Sequence, residues 1–201
     1  MSQPTPAVAP RLNHAERCLL LSLARRSLEA AVCREPKPLP ATVPSVLEAH
    51  LGAFVSLHNK DVLRGCIGYV QASLPLYRTV MDAAEAAALR DPRFPPLQHS
   101  ELPDVALEIS VLSRFRAVRP EEIQVGVHGL MITQDRARGL LLPQVAVAQQ
   151  WDRAHFLEET CRKAGLPPDA WRRGATIESF TAEVFAETDS EEGGQVVGCP
   201  P

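Results

Sequence analysis

The stretch LGAFVSL at 51–57, followed by HNKD at 58–61 and LRGCIGYV at 63–70, decides how this chain folds. Two runs rich in β-forming residues flank a short polar turn. That pattern predicts a β-hairpin with its turn at His58-Asn59-Lys60-Asp61. The second arm carries two glycines around Cys66-Ile67. Glycine inside a strand weakens it, so Gly65 and Gly68 mark a bulge or a place where another backbone or a ligand approaches closely.

On the N-terminal side, Pro36, Pro38, Pro40 and Pro44 make 34–46 an extended connection. Before it, Leu12, Ala15, Leu19, Leu23, Ser27 and Ala30-Ala31 recur at helical spacing behind Asn13 and Glu16. This predicts a helix over 14–32 with a capping box. On the C-terminal side, Ser73 is placed to cap a second helix with Pro75 in its first turn. That helix stops at Asp91-Pro92, because a residue before proline is pushed out of the α region. Residues 91–103 then form a rigid loop. VALEISVL at 105–112 alternates apolar and polar positions and predicts a strand.

Further on, a short helical turn near 120–123 precedes a second hairpin, with arms at 127–134 and 139–142 and a turn at 135–138. Pro143 starts a helical turn. Asp152 caps a helix that ends at Gly165. Residues 176–187 read as one last strand. Hairpin-forming strands interleaved with helices, without regular βαβ alternation, predict an α+β fold of antiparallel sheets packed with helices. The expected organisation is a disordered lead-in at 1–11, a domain over 12–187, and a disordered acidic tail at 188–201.

With 201 residues and 45% hydrophobic content, the chain is long enough for one domain with a packed core. A net charge of −3 supplies no global basic field toward nucleic acid or an anionic membrane. No apolar run approaches the ~18 residues of a bilayer span. The five cysteines are widely spaced with no C-x-x-C, which fits a reducing compartment. The N-terminal stretch is polar and Pro-rich, unlike a signal peptide. These features together predict a cytoplasmic protein.

The candidate chemistry centres on LRGCIG. Arg64 with nearby backbone amides is suited to an anion, and Cys66 is a potential nucleophile if its thiolate is stabilised. The competing reading is Cys66 as a small buried hydrophobe. Asp91 and Arg93 pair either with each other or with a ligand. Glu108, on the polar face of its strand, and His128 are candidate bases beside the thiol. Gln144 is the polar member of GLLLPQ at 139–144. No phosphate-binding loop, dinucleotide fingerprint, nucleophile elbow or metalloprotease motif occurs. No His, Cys and Asp set has metal-ligand spacing, so neither metal nor cofactor is expected.

LRGCIG at 63–68, DPRFPPL at 91–97, ELPDVALEISVLS at 101–113, GVHGLMI at 126–132, RGLLLPQVA at 138–146 and FLEETCRKAGLPPDAW at 156–171 together resemble the AMMECR domain family. The resemblance spans about 14–187. It implies a larger and a smaller lobe with a cleft near LRGCIG as ligand or catalytic site, formed from Arg64, Gly65, Cys66, Gly68 and Tyr69. It also implies Memo-like and radical-SAM proteins as partners, as for "protein A" of the AmmeMemoRadiSam system. The family usually continues LRGCIG with Thr-Phe, whereas this chain has Tyr69-Val70. Three readings follow: a ligand-binding or adaptor module, a Cys66 enzyme acting on a small anionic substrate, and an RNA- or DNA-associated factor. Net charge and scarce aromatics disfavour the third.

Overall fold

The computed structural model describes residues 11–60, 62–71 and 73–190. Two compact units emerge, a larger one from Arg11–Val111 with the chain from Val184 onward, and a smaller one from Leu112–Glu183. Of the expected lead-in at 1–11 and tail at 188–201, residues 1–10 and 191–201 lie outside the described residues, and Glu187–Ser190 form a 3-10 turn.

In the larger unit, helix α1 (His14–Cys33) begins at Asn13. The Asn13 side chain accepts the Glu16 backbone N–H, and the Glu16 carboxylate accepts the Asn13 N–H in return. The capping box therefore satisfies two of the first-turn donors that a helix leaves free. The predicted hairpin is β1 (Ala53–Asn59) and β2 (Val62–Tyr69), paired antiparallel. Its turn is tighter than the spacing suggests: His58 and Asn59 belong to β1, and Lys60 takes a left-handed φ of 55°. Helix α2 (Leu76–Leu89) starts from Pro75 with no side-chain cap, so Ser73 does not cap it. Instead the first amide, Leu76 N–H, donates to the Ala49 carbonyl. Strand β3 (Val105–Leu112) pairs antiparallel with β1. The sheet order is β2-β1-β3-β8, where β8 is Ala182–Ala186.

Alternation along β1 separates the faces. Ala53, Val55 and Leu57 are buried, and with Leu107, Ile109 and Val111 of β3 they pack with apolar residues of α1 and α2. Gly65 faces the same way. A Cβ there would lie 2.3 Å from the Ala87 carbonyl oxygen, so glycine lets α2 sit directly on β2.

In the smaller unit, a two-residue strand β4 (Arg116–Ala117) leads to the second hairpin, β5 (Gly129–Gln134) and β6 (Ala137–Leu141). The turn is the two residues Asp135-Arg136, with φ 53° at Asp135, rather than four. Helices α3 (Pro143–Ala148) and α4 (Arg153–Lys163) follow, the second capped by Asp152. The sheet order is β4-β7-β5-β6, where β7 is Thr176–Phe180, and Phe156, Leu157 and Cys161 of α4 join its apolar core.

The expected single strand over 176–187 is two: β7 (Thr176–Phe180) and β8 (Ala182–Ala186). They belong to different sheets. The break falls at Thr181, whose N–H donates to Ser113 Oγ and whose carbonyl accepts the Ser113 N–H, both at 2.9 Å. Hydropathy carries through this point because both segments are half-buried, so periodicity alone cannot mark the change of sheet.

Candidate functional site

β2 lies at the edge of its sheet, and an edge strand exposes unpaired backbone groups. At Cys66 these groups are covered. The Cys66 N–H donates to Asp91 Oδ2 at 2.8 Å, and the Cys66 carbonyl accepts from Arg93 Nη2 at 3.1 Å. Asp91 and Arg93 thus bracket one residue of the strand. They are also tied to each other, because Asp91 accepts the Arg93 backbone N–H, Nε and Nη2. The Asp91 side chain is 2% exposed. Hydrogen bonds from Arg93 hold its carboxyl far below the usual carboxylate range against the opposing cost of burial, and the Cys66 N–H adds to the effect.

Arg64 stands where the β1–β2 register shifts, between the pairs Leu57–Gly65 and His58–Leu63. It is the extra residue of a bulge, which redirects its side chain. Its guanidinium makes a two-pronged pair with Glu101, Nε to Oε1 at 2.8 Å and Nη2 to Oε2 at 3.0 Å, while Nη1 donates to the Pro95 carbonyl. Arg64 lowers the Glu101 pKa, helped by the Gln98 N–H. Arg64 therefore pins the loop after α2, and all three of its nitrogens have protein partners.

With both backbone groups of Cys66 turned outward, its pairing with Ser56 is the non-hydrogen-bonded kind, in which side chains come closest. Ser56 Oγ accordingly lies 3.2 Å from Cys66 Sγ, within hydrogen-bonding reach. Ser56 is also the register partner of Glu108 on β3. Cys66, Ser56 and Glu108 form a row across three strands on the face opposite the core. Directly opposed side chains in such rows have Cβ atoms roughly 5 Å apart. Glu108 is half-buried and no described residue pairs with its carboxylate. His58 follows Ser56 by two residues on the same face, and its Nε2 is buried with no hydrogen-bond partner among the described residues.

Gly68 lies on this face too, against the Phe54 ring. Tyr69 does not: it points to the helix side and lines a cavity of about 230 Å³ with Thr79 and Asp82 of α2. His128 and Gln144 belong to the smaller unit. His128 is buried, its Nδ1 accepts the Gln124 N–H, and burial lowers its pKa. Gln144 is exposed on α3. The structure thus brings together Cys66, Asp91, Arg93 and Arg64, and sets Glu108 on β3 with β1 between it and the thiol. Ser56 and His58 were not singled out by sequence, although the alternation from Phe54 points both to the Cys66 face. Among the described residues, no group of His, Cys, Asp and Glu has a metal-holding arrangement.

A model of the AMMECR1 family matches residues 21–185. The chain belongs to the AMMECR1 family. An archaeal protein from Methanosarcina acetivorans is 38% identical over 196 residues, covering 92% of this chain and 98% of its own length. One from Pyrococcus furiosus is 43% identical over 182 residues, covering 84% and 86%. The crystal structure of an uncharacterized protein from Pyrococcus horikoshii superposes with a TM-score of 0.83 at 38% identity, over 88% of this chain and 93% of that one. The AMMECR1 fold is therefore the α+β fold expected from the hairpins. Among its described residues, no helix is long and apolar enough to cross a membrane.

Proposed function

We propose that this AMMECR1 protein is a binding or adaptor component that acts through the sheet face presenting Cys66, Ser56 and Glu108. The observation that carries this reading is the engagement of the charged residues around the thiol. Arg64, Asp91 and Arg93 are all tied into the strand and its flanking loop, where they fix backbone shape. A ligand or partner then meets a preformed surface, which lowers the ordering cost of binding. The Memo-like and radical-SAM proteins implied by the family resemblance are the partners of this proposal, as for protein A of the AmmeMemoRadiSam system, in the cytoplasm. The test is co-purification with each partner from cells expressing both. Cys66→Ala retains the complex and Arg93→Ala weakens it. Absence of a complex with either partner overturns the proposal.

A second reading, a thiol enzyme acting on a small anionic substrate, is favoured by the Ser56–Cys66 contact with Glu108 opposite. It requires a stabilised thiolate. Iodoacetamide alkylation of Cys66 against pH decides it: reactivity that rises only near the free-thiol value of ~8.5 removes this reading.

A further inference from the structure

A cavity of about 300 Å³ lies in the larger unit, away from the Cys66 face, between the C-terminal turns of α1, the segment after it, and α2. One side is Ala30 and Ala31 of α1 with Leu89 of α2, small or apolar side chains that leave the space open. Ser27 lies one helical turn earlier, is 1% exposed, and its Oγ has no hydrogen-bond partner among the described residues. Buried hydroxyls are nearly always paired, so an orphan lining a cavity signals a missing partner. The rim supplies two exposed ions of opposite sign, Arg34 and Glu35. Neither side chain has a partner among the described residues. The other charged members are already matched, since Lys37 Nζ bridges Asp82 at 2.5 Å and Glu85 at 3.0 Å.

We infer that this cavity binds a small aliphatic zwitterion of the size and chemistry of a free α-amino acid. The ligand carboxylate pairs with Arg34 and its ammonium with Glu35. Its aliphatic body lies on Ala30, Ala31 and Leu89. Ser27 turns its hydroxyl to the polar head by rotation about one bond. The volume is at the small end of ligand pockets, roughly 300–1,000 Å³, which suits a single amino acid rather than a peptide.

Isothermal titration of the full chain with L-leucine, L-leucinamide and 4-methylpentanoate tests this directly. The second and third each keep the aliphatic body and one charge. Leucine binds saturably, and each analogue binds at least ~5-fold more weakly, the worth of one partly exposed ion pair. Arg34→Ala and Glu35→Gln, at exposed positions, weaken leucine to the level of the analogues while the circular dichroism spectrum is unchanged. Ser27→Ala weakens it by ~3-fold or more, and Ala31→Trp fills the cavity and abolishes binding. No saturable heat with leucine overturns the inference. So does equal affinity for all three compounds, or undiminished leucine binding in Arg34→Ala.

Discussion

Asp91→Ala removes the carboxylate that anchors β2, and its cost can be worked from the contacts. The Cys66 N–H loses a charged acceptor at 2.8 Å in a site where the Asp91 side chain is 2% exposed. A hydrogen bond to a charged group is worth about 1.5–3 kcal/mol. The Arg93 backbone N–H loses its bond at 3.0 Å, which adds roughly 1 kcal/mol. The Arg93 guanidinium is 54% exposed, so solvent screens its pair and limits that contribution to at most ~1 kcal/mol. The sum is about 2.5–5 kcal/mol. With a urea m-value of about 2 kcal/mol/M, the midpoint falls by roughly 1.2–2.5 M. Asp91→Asn keeps one acceptor oxygen and loses about half as much. Hydrogen exchange at the Cys66 amide accelerates in both variants, because local opening no longer breaks a charged hydrogen bond. The pH dependence follows from the same residue. Its carboxyl is far more acidic folded than in the unfolded chain, where aspartate titrates near ~3.9. The unfolded state takes up the proton first. The Asp91 contribution is full above roughly pH 5 and declines as the pH falls through the unfolded value toward the folded one. The Asp91→Asn stability curve is therefore flatter below that pH than the wild-type curve. A midpoint shift under ~0.5 M with an unchanged m-value refutes the reasoning.

Gly65→Ala forces a Cβ to within 2.3 Å of the Ala87 carbonyl. Moving the α2 backbone away by roughly an ångström costs about 1–3 kcal/mol, and an unchanged melting temperature contradicts the close approach. Arg64→Lys and Glu101→Gln each cost roughly 1–2 kcal/mol by breaking one two-pronged pair, and the double variant is less destabilised than the sum; strict additivity in urea melts rejects the pairing. Thiol labelling of the native protein modifies exposed Cys33 before Cys161, which is fully buried and whose thiol burial pushes up. Mass spectrometry showing Cys161 labelled at the rate of Cys33 in folded protein counts against this packing.

Much of this fold was legible because local rules and tertiary packing agree. Asn13 with Glu16 fixes the start of α1, Asp152 starts α4, and Asp91-Pro92 ends α2 close to the expected point. The misses share one cause: they depend on partners distant in sequence. Ser73 has capping chemistry, but α2 begins where Ala49 accepts its first amide. The segment at 176–187 is continuous in hydropathy, but Ser113 interrupts it at Thr181. The site shows the same limit. LRGCIG and DPRF stand out as strings of charge and glycine. That Asp91 accepts the Cys66 N–H while Arg93 donates to the Cys66 carbonyl requires the 25-residue return of the chain through α2. The sequence alone places His58 in a turn and Tyr69 beside the thiol, yet strand parity puts His58 on the Cys66 face and Tyr69 on the helix side.

On the function proposed above, the motif around Cys66 holds a binding surface in shape and does not rely on thiol chemistry. The most direct measurement is the affinity of purified Cys66→Ala, beside wild type, for the co-expressed Memo-like partner. Wild type binds, and Cys66→Ala binds within ~3-fold of it, since a lost thiol contact at a preformed surface is worth well under 1 kcal/mol. A Cys66→Ala variant that folds with wild-type stability yet loses the partner altogether contradicts the claim.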